Sequence, residues 1–432
     1  MPKALAIALA GLLAMPGAAI AQETAHAPTA EAQTALEMRS QQVVSLLNDE
    51  TEPEAIFTQA FRNAVPDAQL KALSASLAAQ VGRAVAVELL TPHHGTRAAL
   101  EIRFERGIAK GAIAVDPAEA NRVSELLFRQ IEPLAVANDT PDKIATDLAR
   151  LPGIVNAGFG PLGGAPVISI GADKPLALGS TFKLYVLAAL AEDVKAGRRK
   201  WNDVVPLTEQ SYPSGQLQNW PKGAPLTLYT LAGLMISISD NTATDQLIKL
   251  LGRQRILKLI KDSGHSNLRA NDPFLTTREL FILKTVDPVF LDAWRTRSPD
   301  AMTAAEVLME VANPTLDEVN AAFAKGPKAI DIEWFASPAD LAKLFAHMRR
   351  TADPKAFDIL AINPSATPGI KANWAYIGFK GGSEPGVLNL TWLLTDKAGK
   401  DHVLTLGWNN PAAALDQGKM EAIAQRILLL PR

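Results

Sequence analysis

The chain has 432 residues, 48% of them apolar, with 43 Lys and Arg against 45 Asp and Glu and a formal net charge of −2. That length suits two domains, or one large domain with an insertion. Balanced, scattered charge argues against nucleic acid or an anionic membrane as the main partner. The chain has no cysteine, which excludes disulfides, a cysteine nucleophile, thiolate metal sites and a lipid-modified cysteine, so any nucleophile is an oxygen or an amine.

The first 21 residues have the form of a secretory signal. Lys3 precedes an apolar run from Ala4 to Ala14, and Ala19-Ile20-Ala21 forms a small-x-small cleavage site. A mature chain beginning at Gln22, periplasmic or secreted, is the expectation. The apolar run is too short to span a bilayer, and no later segment reaches about 18 to 20 apolar residues, so no stable membrane insertion is expected. After an Ala/Thr/Pro leader, helical patterns cover 37–47, 54–62 and 67–80. Strand-like runs follow at 84–90, 96–103 and 108–115, separated by turn residues. Helices followed by a meander predict a small α+β domain over 35–133, its helices on one face of a curved antiparallel sheet. His93 and His94 are the only adjacent pair among six histidines, in a Pro-His-His-Gly turn without a third residue at ligand spacing. A solvated hairpin loop accounts for them better than zinc, and no metal or cofactor is expected.

Residues 134–141 read as a linker. A second domain, 140–432, opens with a helix over 142–151, capped by Thr140 with Pro141 at its first position. Short strands at 155–158 and 167–171 lead into a helical middle that runs to about residue 350. Strands at 374–379, 388–394 and 402–408 and a terminal helix over about 412–430 close the chain. Strands at both ends of a helical middle imply one antiparallel sheet, assembled from distant pieces and flanked by helices, with an all-helical subdomain. Residues 284–327, rich in Ala, Glu, Thr and Pro, read as an insertion or lid.

Three stretches carry chemistry. In LALGSTFKLYVLAAL, Lys183 is the one charged residue of an apolar helix, and burying an ammonium without partners costs several kcal/mol. Ser180 lies one turn before it on the same face. Apolar surroundings lower a lysine pKa, and a neutral amine can accept a serine proton. A serine cap and a snorkelling lysine would give the same tetrapeptide. In LAGLMISISDNTATDQLIKLLG the apolar run stops at Ser239-Asp240-Asn241. These residues favour helix starts, but a helical hairpin there would also present Ser239 as a proton relay and Asn241 as a holder of Lys183 or of a substrate amide. In AYIGFKGGSEPG, Lys380 can meet a carboxylate. Gly381 and Gly382 let an extended substrate approach the strand edge, and the Ser383 N–H can join that of Ser180 as an oxyanion hole.

Together and in order, Ser180-x-x-Lys183, Ser239-Asp240-Asn241 and Lys380-Gly381-Gly382 resemble the motif set of the class A serine β-lactamases and their penicillin-binding relatives. Ser337-Pro-Ala-Asp-Leu341 resembles that family's helix start after the omega loop. The resemblance covers about 140–432. It implies catalytic roles for Ser180, Lys183, Ser239 and Lys380, and substrate binding by Asn241, Gly382 and Ser383. It also implies a small-molecule β-lactam or ester substrate, and penicillin-binding-fold chemistry of the kind that confers antibiotic resistance. Gly381 stands where the family usually has threonine. For the family's omega-loop glutamate, which activates the deacylating water, the nearest match is Asp272-Pro-Phe-Leu-Thr276. Aspartate is one methylene shorter. Glu279 is the other candidate, although Thr276-Thr-Arg-Glu279 has the form of a capping box.

A helical and curved-sheet domain in front of such a hydrolase resembles the two-domain serine hydrolase of the clavulanic-acid pathway, whose N-terminal part is ketosteroid-isomerase-like and cystatin-like in shape. The resemblance implies an esterase on β-lactam side chains as one alternative. A second alternative is a penicillin-binding sensor that acylates without turnover. The N-terminal domain offers no acid or base worth naming and reads as a cover or interaction module. Oligomeric state is not legible in the sequence.

Overall fold

The computed structural model describes residues 30–134, 139–285, 288–296, 303, 307, 312 and 314–430. The expected signal segment lies outside them. No helix among the described residues is long and apolar enough to cross a membrane. The chain divides into two compact units. One runs to Asp139 and includes Thr367–Ile370 and the chain from Gly418 on; the other comprises Thr140–Ala366 and Lys371–Gln417.

Among the described residues the N-terminal stretch opens with α1 (Ala30–Leu47), α2 (Pro53–Ile56), α3 (Gln59–Ala64) and α4 (Asp67–Val81). They precede an antiparallel meander of β1 (Ala84–His94), β2 (Arg97–Phe104), β3 (Gly107–Asp116) and β4 (Arg122–Pro133). Leu36, Val43 and Leu47 of α1 share a core with Leu100, Ile102, Phe104 and Ile113 of the sheet. The pattern read as one helix over 54–62 is two, because Phe57 and Thr58 are extended and Thr58 caps α3 by accepting from the Phe61 N–H. The fourth strand is absent from the sequence reading. Its Glu-Leu-Leu-Phe-Arg-Gln-Ile run lacks clean alternation, and the register with β3 is broken by irregularities at Lys110/Gly111 and Ala114/Val115. His93 and His94 lie at the β1–β2 hairpin end.

The second unit opens with α5 (Pro141–Ala149), capped by Thr140, whose hydroxyl accepts from the Lys143 N–H. Next come β5 (Ile154–Pro161), β6 (Ile168–Ile170), the short β7 (Leu176–Ala177) and α6 (Lys183–Lys195). The short pair β8 (Val204–Pro206) and β9 (Pro225–Thr227) leads into α7 (Leu228–Ser237), α8 (Asn241–Leu251), α9 (Arg253–Asp262) and α10 (Thr277–Thr285). Within the expected insertion lie α11 (Pro288–Thr296) and α12 (Leu316–Phe323). The chain continues through β10 (Phe335–Ala336), α13 (Pro338–Thr351), α14 (Lys355–Leu360), β11 (Tyr376–Glu384), β12 (Val387–Thr395) and β13 (Asp401–Asn409). The last helix, α15 (Gln417–Leu428), belongs from Gly418 on to the first unit.

Five antiparallel strands form the main sheet in the order β11-β12-β13-β5-β6. In β13 and β5, His402 pairs directly with Pro161 and Asn409 with Ile154, as the expected assembly from distant pieces requires. Helix α13 begins at a reciprocal capping box of Ser337 and Asp340, with Pro338 at its first position. Strand β11 runs further than its apolar residues suggest, through Lys380–Ser383 to Glu384, because Pro385-Gly386 makes the turn that pairs Glu384 with Val387.

Candidate active site

Helix α6 is apolar on every face from Leu184 to Ala191 and is buried from Lys183 to Ala191, as expected for a helix through the middle of a core. No side of it faces water, so Lys183 cannot snorkel and is fully buried. The turn before it, Gly179–Phe182, is a short 3-10 segment entered through Gly179 at φ +50°, a left-handed conformation that favours glycine. Ser180 sits on this turn, half-buried. Below it Phe182 stacks on Trp334 with ring centroids 3.5 Å apart, Phe274 meets both rings, and the Leu178 N–H donates to the Trp334 carbonyl at 2.9 Å. The nucleophile candidate therefore rests on packed aromatic rings.

Asp240 builds the second wall. It caps α8 by accepting from the Ala243 N–H at 2.8 Å, and its other oxygen accepts from the N–H groups of Gln216 (2.6 Å) and Leu217 (3.0 Å). Ser239 just before it has φ +59°, an uncommon conformation for a non-glycine residue and one that recurs at functional sites. Asn241 donates from Nδ2 to the Tyr212 carbonyl at 3.0 Å, which turns its Oδ1 to Lys183.

Lys183 Nζ lies 2.7 Å from the Ser239 carbonyl, 2.7 Å from Asn241 Oδ1 and 3.1 Å from Ser239 Oγ. None of these hydrogen bonds goes to Ser180 Oγ. Two of the three partners can only accept, whereas the hydroxyl can donate. An ammonium fills all three as donor, whereas a neutral amine fills the two acceptors and keeps its lone pair for a hydroxyl, so the set accommodates the proton before and after its transfer. Burial, followed by the nearby charge of Lys380, holds the Lys183 pKa well below the ordinary lysine value. Lys380, also buried, has its pKa lowered to about 7 by desolvation. Its Nζ donates to the Gly381 carbonyl and lies 3.1 Å from Ser239 Oγ. Ser239 Oγ thus bridges two amines.

The third wall is edge strand β11. A Cβ on Gly382 would stand 2.2 Å from the Leu178 carbonyl and 2.4 Å from the Ser180 nitrogen. Only glycine lets the strand lie this close to the Ser180 turn. A Cβ on Gly179 would stand 2.9 Å from the Ser383 nitrogen, so the amides of Ser180 and Ser383 flank one small space. At Gly381 a Cβ would meet the Phe379 ring at 2.8 Å. Here the space usually given to a threonine holds an aromatic edge.

The carboxylates behave differently from this cluster. Asp272 is exposed at the end of the Leu268–Asn271 turn. Glu279 makes the capping box: its side chain accepts from the Thr276 N–H at 2.8 Å while its own N–H donates to Thr276 Oγ1 at 3.2 Å, and it pairs with Arg253. Two buried groups escaped the sequence reading. Asp245 of α8 accepts from Ser211 Oγ (2.6 Å) and from the N–H groups of Thr277 (2.7 Å) and Arg278 (2.9 Å). Burial raises its pKa to about 6 against those hydrogen bonds. Lys284 is buried against Glu333 and Glu384. Its signal was present in Leu-Phe-Ile-Leu-Lys284, an ammonium in an apolar run like that of Lys183.

The sequence profile of the beta-lactamase enzyme family matches residues 141–428. Among solved structures, a beta-lactamase of Sphaerobacter thermophilus is 23% identical over 68% of this chain and 98% of its own, with a TM-score of 0.46. A beta-lactamase of Chitinophaga pinensis is 16% identical over 67% of this chain and 97% of its own, TM-score 0.47. The protein PBP-A is 20% identical over 67% and 93%, TM-score 0.46. A search of curated proteins finds no match.

Proposed function

The chain belongs to the beta-lactamase enzyme family, and from that membership we propose that it is an exported serine hydrolase working through an acyl-enzyme on Ser180, with β-lactams as substrates. Ser180 Oγ attacks the ring carbonyl. Its proton passes to the neutral Lys183 amine, and Ser239, bridging Lys183 and Lys380, delivers a proton to the departing ring nitrogen. The N–H groups of Ser180 and Ser383 stabilise the developing oxyanion, a contribution of about 10²- to 10³-fold per donor in comparable sites. Lys380 attracts a substrate carboxylate, and Asn241 with Gly382 lines the bound substrate. The observation that carries this reading is the fully buried Lys183 amine, hydrogen-bonded to Ser239 and Asn241 and to no carboxylate, one turn from Ser180.

A second reading, a penicillin-binding sensor or slow hydrolase, is favoured by the carboxylates. Asp272 is exposed, and Glu279 commits its carboxylate to a helix cap and to Arg253, an arrangement that supports slow deacylation. The Phe379 edge at Gly381 also suits neutral esters, the third alternative. Intact mass of the purified protein, followed after mixing with benzylpenicillin, a cephalosporin and p-nitrophenyl acetate, separates the three. A transient adduct with released product means hydrolysis of that class, and a persistent one means a sensor. No adduct with any probe, or an adduct retained in Ser180→Ala, contradicts the proposal.

A further inference from the structure

Lys284, Glu333 and Glu384 come from three places in the second unit: the C-terminal part of α10, the segment before β10, and the last residue of β11. Their side chains are 0%, 1% and 7% exposed. Lys284 Nζ donates to Glu333 Oε1 at 3.0 Å and to Glu384 Oε1 at 2.5 Å. Lys284 opens the insertion read over 284–327 and Glu333 lies just beyond its end, so Lys284 joins both flanks of the insertion to one strand residue. The other nearby acid, Asp331, is held by Arg295 at 2.6 and 2.9 Å. With one cation facing two carboxylates, full ionisation would leave a net buried charge. Burial, then Glu333, pushes the Glu384 carboxyl well above the ordinary carboxylate range, as one proton retained by the pair would require.

The tie has a functional location. Glu384 follows Ser383 directly, and among the described residues β11 is an edge strand with no strand on its outer side. The Ser383 nitrogen must hold its place beside Gly179 for an oxyanion to bridge it and Ser180. We propose that the Lys284–Glu333–Glu384 cluster is a positioning device for the reaction, anchoring the end of β11 to α10 and to the segment before β10 so that the Ser383 N–H points at the oxyanion. This rests on the reading of Ser180 as nucleophile. Glu384 acts through the backbone of its neighbour and touches no substrate.

The test compares Glu384→Ala with Glu384→Gln, using whichever of benzylpenicillin and p-nitrophenyl acetate labels Ser180 in the wild-type chain. Rapid-quench intact mass gives the acylation rate constant and the preceding binding constant. Alanine removes the tie, whereas glutamine keeps a neutral acceptor for Lys284. Glu384→Ala is expected to acylate about 10- to 100-fold more slowly with its binding constant unchanged, in line with the cost of a misplacement on the order of 1 Å. Glu384→Gln is expected to stay close to wild type. Equal loss in both variants, loss confined to the binding constant, or no loss in Glu384→Ala overturns the inference while leaving Ser180 as nucleophile. A wild-type chain that labels elsewhere or not at all overturns both. If Glu384→Ala does not fold, Lys284→Met with Glu333→Gln removes the tie from the other side and leaves Glu384 as a single buried carboxyl that burial keeps protonated, and the same slowing is expected.

Discussion

Two lysines of the same unit, both fully buried, are handled in opposite ways. Lys183 faces a carbonyl, an amide oxygen and a hydroxyl, with a second lysine close by, and its pKa is pushed far down by burial and then by Lys380. At Lys284 burial also works against the charge, but Glu333 and Glu384 outweigh it and lift the pKa above the ordinary value. Desolvation is common to both sites. The bonded partner decides the outcome: with Asp245 and Asp240 nearby but no carboxylate hydrogen-bonded to it, the amine becomes a base, and with two bonded carboxylates it becomes a structural cation.

The same substitution at each lysine gives the sharpest contrast. Lys183→Met is expected to slow Ser180 acylation by about 10²- to 10⁴-fold, the usual worth of a general base, while thermal stability changes little because no charge loses its partner. Lys284→Met is expected to reduce stability by about 3–5 kcal/mol, since it leaves two buried carboxylates without a cation. Denaturant unfolding with a parallel acylation assay measures both. Comparable stability losses in the two variants would break the comparison.

A second prediction uses pH on the active-site side. Lys380, with a pKa of about 7, loses its charge above neutrality, so binding of substrates that bear a carboxylate should weaken as pH rises through about 7. Uncharged esters should show no such limb, and the ratio of the two binding constants between pH 6 and 9 measures it. Loss of both limbs together would assign the effect elsewhere.

On the structural side the Glu384 pKa is raised from 4.5 to about 8. The folded state then binds more protons than the unfolded state between these values, so this group's stabilising contribution is full below about pH 4.5 and is lost as pH rises to about 8. Glu384→Gln should flatten the fall of Tm over that window, gaining on wild type at pH 8 but not at pH 5. The smallest effect belongs to Glu279. Its alanine variant should lose about 1 kcal/mol, as expected for a helix cap, with the lifetime of any acyl-enzyme unchanged.

The chemistry-bearing residues were legible because each violates a local rule. Lys183 interrupts an apolar helix, Ser239-Asp240-Asn241 interrupts an apolar hairpin, and two glycines follow a strand lysine. The helices and strands around them carried clear periodicities. What escaped notice depended on long-range pairing. Strand β4 hides its alternation behind bulges. Glu384 reads as a turn residue until β12 is paired beside it. Lys284 breaks the same rule as Lys183, but its partners lie 49 and 100 residues away, with no motif to join them. The positive φ of Ser239 and the burial of Asp245 likewise come from tertiary structure, not from any local pattern.

Selective 13C labelling of the lysine ε-carbons, followed by NMR across pH, tests the central claim, that Lys183 rests as a neutral amine while Lys284 stays charged. With Lys183→Met and Lys284→Met used for assignment, the Lys183 signal should titrate well below lysine's ordinary 10.5, and the Lys284 signal should show no midpoint below that value. A Lys183 midpoint at or above 10.5, or the two lysines titrating together, would contradict the account.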